Sequence, residues 1–505
     1  MTVLVLGDQL TRRAGPLAAR PDERVLMIEA RAFAARHAYH PHKRTLVASA
    51  MRHFRDALRE DGRPVDYHET ATFGDGLDAH FDAHPGDDLV VMRPASYGAA
   101  DRLRDLVETR GGTLRVVENE LFCCSPADFD DWYDGGALRH EDFYRYMRRE
   151  TGVLMEGDEP VGGEWNYDEA NRETPPDDYE APDVPTFDPD ATTRSVQDDY
   201  ADVNAGTWAD PEPFGWPVTR ADALAALDDF VTHRLPDFGP YEDAMVEGEP
   251  MLDHALLSAP LNLGLLGPRE VVDAAVEAYD ERDDVPIESV EGFVRQVLGW
   301  REFVRHAYRV GMPDLADANR LDATRDLPDL YWSGDTDMAC LDAAVAGVRQ
   351  RGYAHHIQRL MVLSNFALLY GVDPHELNRW FHVAFVDGYH WVSTPNTVEM
   401  GQYAADLFAT KPYAASANYL DRMGDYCDGC PYDPDATVGA DACPFNALYW
   451  DFPAANEDAL RSNHRMGLVY GHLDDKRDAG DLAAIRERAT DVRAATDDGE
   501  SPRTE

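Results

Sequence analysis

The stretch DYCDGCPYDPDATVGADACPF, residues 425–445, gathers Cys427, Cys430 and Cys443. A C-x-x-C pair followed by a third cysteine presents thiolates to a soft metal centre, and three are one short of the usual four. Cys340, in DMACLDAA, is the one further cysteine in the second half of the chain and completes a set of four. Four thiolates suit either tetrahedral zinc or a [4Fe–4S] cluster; spacing alone leaves both open, with zinc the main rival of the cluster. The adjacent Cys123 and Cys124, just after an apolar run, read as small buried hydrophobes.

A second concentration of chemistry lies in YAHHIQRLM (353–361). His355 and Arg359, four residues apart, share one helix face, and His356 points about 100° away. Asp387 is embedded in the apolar run AFVDGYHW, where a lone carboxylate is costly, so a cationic partner is required and Arg359 is the candidate. Trp300, Trp332, Trp380 and Trp391 fall in the same half; they read either as core or as a path for electrons to a buried redox group. LLSAPLNLGLL (256–266) adds Ser258 and Asn262 among apolar residues.

Elements must position these groups. TVLVLG (2–7), RVLMIEA (24–30), VDYHE (65–69), DLVVM (88–92) and LRVVEN (114–119) are near-continuous apolar strands separated by amphipathic stretches such as 43–59. That alternation predicts a doubly wound parallel sheet, an α/β domain over 1–128, with ligands beyond the strand carboxyl ends, where GDQL (7–10) falls. G-x-G-x-x-G is absent, so no dinucleotide fingerprint is present. Residues 129–216 read as an acidic, Pro-rich and partly irregular connector. From 217 to 475 helical periodicity dominates, over 221–234, 268–282, 289–311, 338–351, 353–370 and 374–386, which predicts a large all-α domain. The charged segment 476–505 is expected to fray.

The formal net charge is −48, and lysine occurs only at 43, 411 and 476. An acidic, lysine-poor surface predicts a halophilic protein, and it argues against nucleic-acid binding less strongly in molar salt, where counterion release contributes little. No cationic leader and no apolar run of about 20 residues is present, so the expectation is a cytoplasmic protein with no membrane contact, and a monomer.

In order, LVLGDQL, HKRTLVASAMRHF, GGEWNYDEANR, LLSAPLNLGLL, FVRQVLGWREF, AHHIQRLMVLSNFALL, RWFHVAFVDGYHWVSTPN, KPYAASANY and the cysteine loop resemble the iron–sulfur branch of the photolyase/cryptochrome family, the group containing prokaryotic (6-4) photolyases. The resemblance runs from residue 2 to about 470. It implies FAD in the helical domain: Ser258, Leu261 and Asn262 match a phosphate-binding turn; Gln296, Trp300 and Arg301 match a second flavin segment. Arg359 with Asp387 matches an ion pair beside the ring system, and Asn396 an amide facing it. Cys340, Cys427, Cys430 and Cys443 match the ligands of a [4Fe–4S] cluster. His355 and His356 match the pair beside the DNA lesion, and Leu360, Met400 and Tyr413 lesion-pocket contacts. Trp380 and Trp332 match an electron-transfer chain in which Phe381 departs from the readily oxidised Tyr that can hold its place. Asp8 and Gln9 would lie near a ribityllumazine antenna chromophore.

The function so implied is light-driven repair of UV-damaged DNA, a (6-4) photoproduct in particular, because moving an oxygen-bearing group between bases requires a proton donor that an imidazole supplies. Two alternatives stand beside it: a cryptochrome-like blue-light photoreceptor without repair, and a non-photochemical Fe–S nucleic-acid-binding protein similar in outline to a primase large subunit.

Overall fold

The computed structural model describes residues 1–176 and 179–503. Five strands, β1 (Thr2–Val5), β2 (Arg24–Ala30), β3 (Val65–Thr70), β4 (Asp88–Met92) and β5 (Thr113–Val117), form one parallel sheet in the order β3-β2-β1-β4-β5. β1 pairs on both edges, Val3 opposite Val25 and Val90, and is buried along its length, which is why TVLV carries no polar alternation. The α/β domain expected from the sequence is therefore present, with strand ends displaced by at most two residues.

Helix α1 (Pro41–Glu60) begins with Pro41, whose missing N–H costs nothing in a first turn, and with the His40 ring accepting from the His42 N–H at 3.0 Å. It covers one sheet face and places Leu46, Met51 and Leu58 in a core that continues without a break into the helical half through Leu257, Phe293 and Leu298. The other face is closed by α2 (Phe73–Ala83) and α3 (Ala99–Glu108), whose Leu77, Phe81, Leu103 and Val107 pack on Leu4, Leu26 and Val91.

Beyond a two-stranded hairpin ending at Pro160, no strand occurs among the described residues, and the second half is helical. Four of its helices widen into π turns, over Phe230–Arg234, Arg295–Arg301, Gln358–Ser364 and Pro395–Gly401, and the last three line one cavity. The helix expected from 353 begins only at His356. The partly irregular connector contains the helix Ala191–Asp199, and Asp199 joins the buried Arg52–Glu29 pair at 2.7 Å. Trp208 and Trp216 anchor the connector through their indole N–H groups to the carbonyls of Ala38 and Arg351.

The segment after 475 does not fray. With α4 (Ala339–Arg351), α5 (Pro374–Ala384), α6 (Pro444–Ala455) and α7 (Gly467–Ala479) in place, α8 (Leu482–Asp497) packs along α6. Besides buried Arg488, five of its buried residues, Leu482, Ile485, Ala489, Val492 and Thr496, recur at alternating steps of three and four, a helical stripe that the surrounding charges obscured. Arg486 and Arg493 converge on buried Asp451 at 2.9 and 2.6 Å. Arg488 donates to the carbonyls of Ala440 and Ala442, bracing the loop that carries Cys443. Ile485→Ala is expected to destabilise the protein by about 2–4 kcal/mol, measured by denaturant unfolding; a frayed segment would give no change.

Candidate functional site

A cavity of about 310 Å³ opens in the helical half. Its wall is built by the short helix Ser258–Leu263, by three of the π turns and by the loop around Asp387. The wide turns are the local reason that so many functional side chains converge: each inserts a residue into the helical repeat and turns neighbours on one helix toward a common space.

Of the residues singled out from the sequence, Ser258, Leu261, Asn262, Gln296, Trp300, Arg301, His356, Arg359, Leu360, Asp387, Asn396 and Met400 all line this cavity. Asp387 is 6 % exposed and takes a bidentate pair from Arg359, both contacts 3.0 Å. Ser258 Oγ donates to its Oδ2 at 2.6 Å, and Asn262 Nδ2 donates to its backbone carbonyl at 3.2 Å. Burial works against the carboxylate's charge, but the Arg359 cation, the hydrogen bonds from Arg359 and Ser258, and Lys43 outweigh it and hold the pKa below the ordinary range. Lys43 enters from α1: its Nζ donates to the carbonyls of His382, at 2.6 Å, and Gly388, and stands over the rings of Tyr39 and Tyr389. Burial lowers the Lys43 pKa to about 7, with Asp387 opposing.

The other walls are similarly held. Trp300 stacks on His140 with ring centroids 3.7 Å apart. Gln296 donates to Glu242 at 2.5 Å, and Glu242 also accepts from Asn171 at 2.7 Å. Burial raises Glu242 to about 7 although Arg295 opposes it. Arg301 donates to Leu121 O and Glu302, leaving its Nε buried without a partner at the cavity edge.

The paired histidines separate. His356 reaches solvent through the deep cavity, and surrounding protein together with the Arg359 cation pushes its pKa down, so its ring is neutral at pH 7. His355 does not face the cavity. It precedes the helix, is fully buried, and stacks on His254 at 4.6 Å with neither ring nitrogen bonded. His254, which lines the cavity, was missed in the sequence, although it stands four residues before Ser258. Glu242 and His140 carried no sequence signal. Tyr413 also lies off the wall, 37 % exposed, in the field of Asp168, Arg465 and Arg172.

Trp380 is fully buried behind the cavity, separated from it by Phe381 and Phe385, which are stacked at 5.0 Å and do line it. Trp380 meets Tyr331 edge-on at 5.0 Å, and the next residue, Trp332, meets Trp208 of the connector at 5.1 Å. At the carboxyl end of β1, Asp8 is half-buried and pushed up to about 6 by the surrounding protein, while Gln9 donates its amide to Met92 O at 2.8 Å. Gly264, at φ +82°, lets the Ser258 helix end against this loop, where Leu10 N–H donates to Leu263 O at 2.8 Å and any Cβ would press on Leu10 N.

The four cysteines form one neighbourhood: burial first, then the charges of Cys443, Cys427 and Cys430, push the Cys340 thiol well above its ordinary value, and Cys427 and Cys443 rise to about 12. Four thiolates coexist there only with a cation among them. A single tetrahedral zinc would hold its sulfurs about 3.8 Å apart. Among the described residues only Asp66, His80 and His84 bring three donor atoms within 4.8 Å of one another, so no three of these sulfurs do.

Asp387→Asn leaves Arg359 and Lys43 buried without their counter-charge and is expected to cost about 3–5 kcal/mol. Because the folded pKa of Asp387 lies below the unfolded value, its contribution is present above about pH 4 and lost as pH falls through the folded value. Unfolding titrations at pH 7 and below pH 4 check both: the wild type loses stability across that range, and the variant lacks the Asp387 component of the loss.

Residues 3–216 match the family described as deoxyribodipyrimidine photo-lyase-related protein. Over 478 residues, 93 % of this chain and 94 % of the relative, the sequence is 40 % identical to a (6-4) photolyase of Agrobacterium fabrum. The fold is similar to that of a bacterial class III photolyase from Agrobacterium tumefaciens (TM-score 0.59, 19 % identity, covering 82 % of this chain and 81 % of the other). It is also similar to a Synechocystis cryptochrome (TM-score 0.56, 18 % identity, 80 % and 83 % covered). A cavity framed by Ser258, Arg359 and Asp387, beneath a parallel-sheet domain and along a chain that aligns with a (6-4) photolyase almost end to end, leads to one assignment: the protein belongs to the photolyase/cryptochrome family.

Proposed function

We propose that the protein is a DNA photolyase that repairs (6-4) pyrimidine photoproducts with FAD in the helical cavity. The observation that carries this reading is the placement of His356 alone of the histidine pair on a wall it shares with the Arg359–Asp387 frame. The cavity fits a flavin: it is mainly apolar with a few fixed polar groups, and the unpartnered Nε of Arg301 suits a phosphate or a ring heteroatom. Ser258, Leu261, Asn262, Gln296, Trp300, Arg301, Arg359, Asp387 and Asn396 would hold the group. Bound and reduced, FAD would supply, on absorbing blue light, the electron that opens the lesion.

This chain's residues do the rest. Leu360 and Met400 offer apolar contact to the two linked pyrimidines of a lesion turned out of the duplex, which costs least where damage has already disturbed stacking. With the lesion bound, the His356 ring would take up a proton through its solvent-reaching side and, as imidazolium, pass it to the oxygen-bearing group as that group moves between bases, returning to the neutral ring. Asp387 keeps Arg359 in place through two hydrogen bonds, and Phe381 and Phe385 exclude water from that side. Trp380 and Trp332, with Trp208, mark a route for electrons to the surface.

By family likeness we assign a [4Fe–4S] cluster to the neighbourhood of Cys340, Cys427, Cys430 and Cys443, in a structural role that joins α4 to the cysteine loop. Asp8, beyond the carboxyl end of β1, is the contact we assign to an antenna chromophore, ribityllumazine by family likeness.

Anaerobic absorption with iron and flavin assays should give about four irons and about one FAD per chain, and illumination should repair (6-4) DNA. Zinc without flavin would overturn the reading. His356→Ala should keep flavin and DNA binding and lose repair; repair at the wild-type rate would remove the proton-donor role. Cys443→Ser should lower folded yield and flavin retention together, whereas a flavin-replete, stable and inactive variant would make the cluster redox-active.

A further inference from the structure

The amino-terminal ends of the parallel strands lie at the opposite edge of the sheet from Asp8. There Asp66, at the start of β3, meets two histidines of the α2 end, His80 and His84, spaced four apart. His84 Nε2 is 3.2 Å from Asp66 Oδ2, and His80 Nδ1 is 3.7 Å from the same oxygen. Donors bound to one tetrahedral zinc through bonds of about 2.0–2.1 Å stand about 3.3 Å apart; the two contacts to Asp66 are close to that spacing, and all three donor atoms lie within 4.8 Å of one another.

The state of His80 is the second observation. Its ring is fully buried, its Nε2 is paired with Asp87 Oδ2 at 3.3 Å, and its Nδ1 has no hydrogen-bond partner. A buried imidazole fixed by a carboxylate on one nitrogen, with the other bare and facing a second carboxylate and a second imidazole, has the form of a metal-ligating histidine and its outer-shell partner. Asp87 is itself tied down by Thr2 Oγ1 at 2.5 Å and by the amino terminus at 3.2 Å. Arg24 Nη1 donates to both Asp66 oxygens, Oδ1 at 2.9 Å and Oδ2 at 3.1 Å; a cation on Oδ2 would displace the second contact and leave the first. An open trough bordered by His84, Asp22 and Glu23 gives access from solvent.

We propose that Asp66, His80 and His84 form a divalent transition-metal site, with a two-imidazole, one-carboxylate donor set suited to zinc, that clips the end of α2 to the sheet. It is separate from the thiol group and the cavity, and it does not depend on the proposed function.

The test uses the intact holoprotein, treated with EDTA, desalted and titrated with zinc against a chromophoric chelator, with iron and flavin measured on the same sample. The wild type should bind one zinc without losing iron or flavin, and its Tm should rise with zinc. His84→Ala, a partly exposed position, and Asp66→Asn should each weaken binding by more than the about 10–100-fold expected for the outer-shell change Asp87→Asn. All three variants should leave the flavin spectrum unchanged. No zinc uptake by the wild type, or equal uptake by His84→Ala, would overturn the site and leave a hydrogen-bonded network only.

Discussion

The buried charge of Asp387 is the constraint around which the two halves of the molecule are organised. A carboxylate 6 % exposed in an apolar wall is untenable alone. It is neutralised by Arg359 from one helix, hydrogen-bonded by Ser258 from another, and approached by Lys43 from the α/β domain. The need to admit Lys43 fixes its surroundings: Gly388 gives it a carbonyl, and a side chain at 388 would collide with the carbonyl of Phe381. Seating α1 on the helical half and setting the cavity's shape are thus one event. Arginine's rigid fork could not reproduce two carbonyl contacts between two tyrosine rings, which gives a physical reason for a lysine at 43 in a chain almost devoid of them.

Most of the fold was legible. Apolar runs at period-free strands and 3.6-residue helices survive any surface composition, so the five strands and the main helices emerged from TVLV, RVLMIEA and their successors. The α8 stripe was hidden because its five buried residues are diluted by arginine and aspartate on the remaining faces. The site was legible where a motif carries its own partner, as with Arg359 and Asp387. It was not where orientation depends on backbone the pattern cannot show. His355 and His356 are neighbours in sequence, yet the helix starts between them, so one ring stacks on His254 and the other meets the cavity. Tyr413 likewise follows a loop whose path no periodicity encodes.

The thiol neighbourhood shows how a segment with only one short helix, Tyr426–Gly429, is held from both sides. α4 supplies Cys340 from one element, and α8 grips the opposite side through Arg488 and the carbonyls of Ala440 and Ala442. Asn446 ties the same loop down through the carbonyls of Pro434 and Ala436. The residues between the cysteines therefore need little intrinsic order of their own, and proline and aspartate there do no harm.

The π turns carry a consequence for how such a cavity can change over evolutionary time. Each of the three that line it owes its inward-facing set to one residue more than an α-helix would use. Losing a single residue there would close the wide turn into a regular helix and leave the turns on either side in register, because the bulge is where the extra residue is taken up. The side chains inside the turn would move while those beyond it keep their place. A lineage can therefore reshape this cavity wall by one residue at a time without dismantling the helices that carry it.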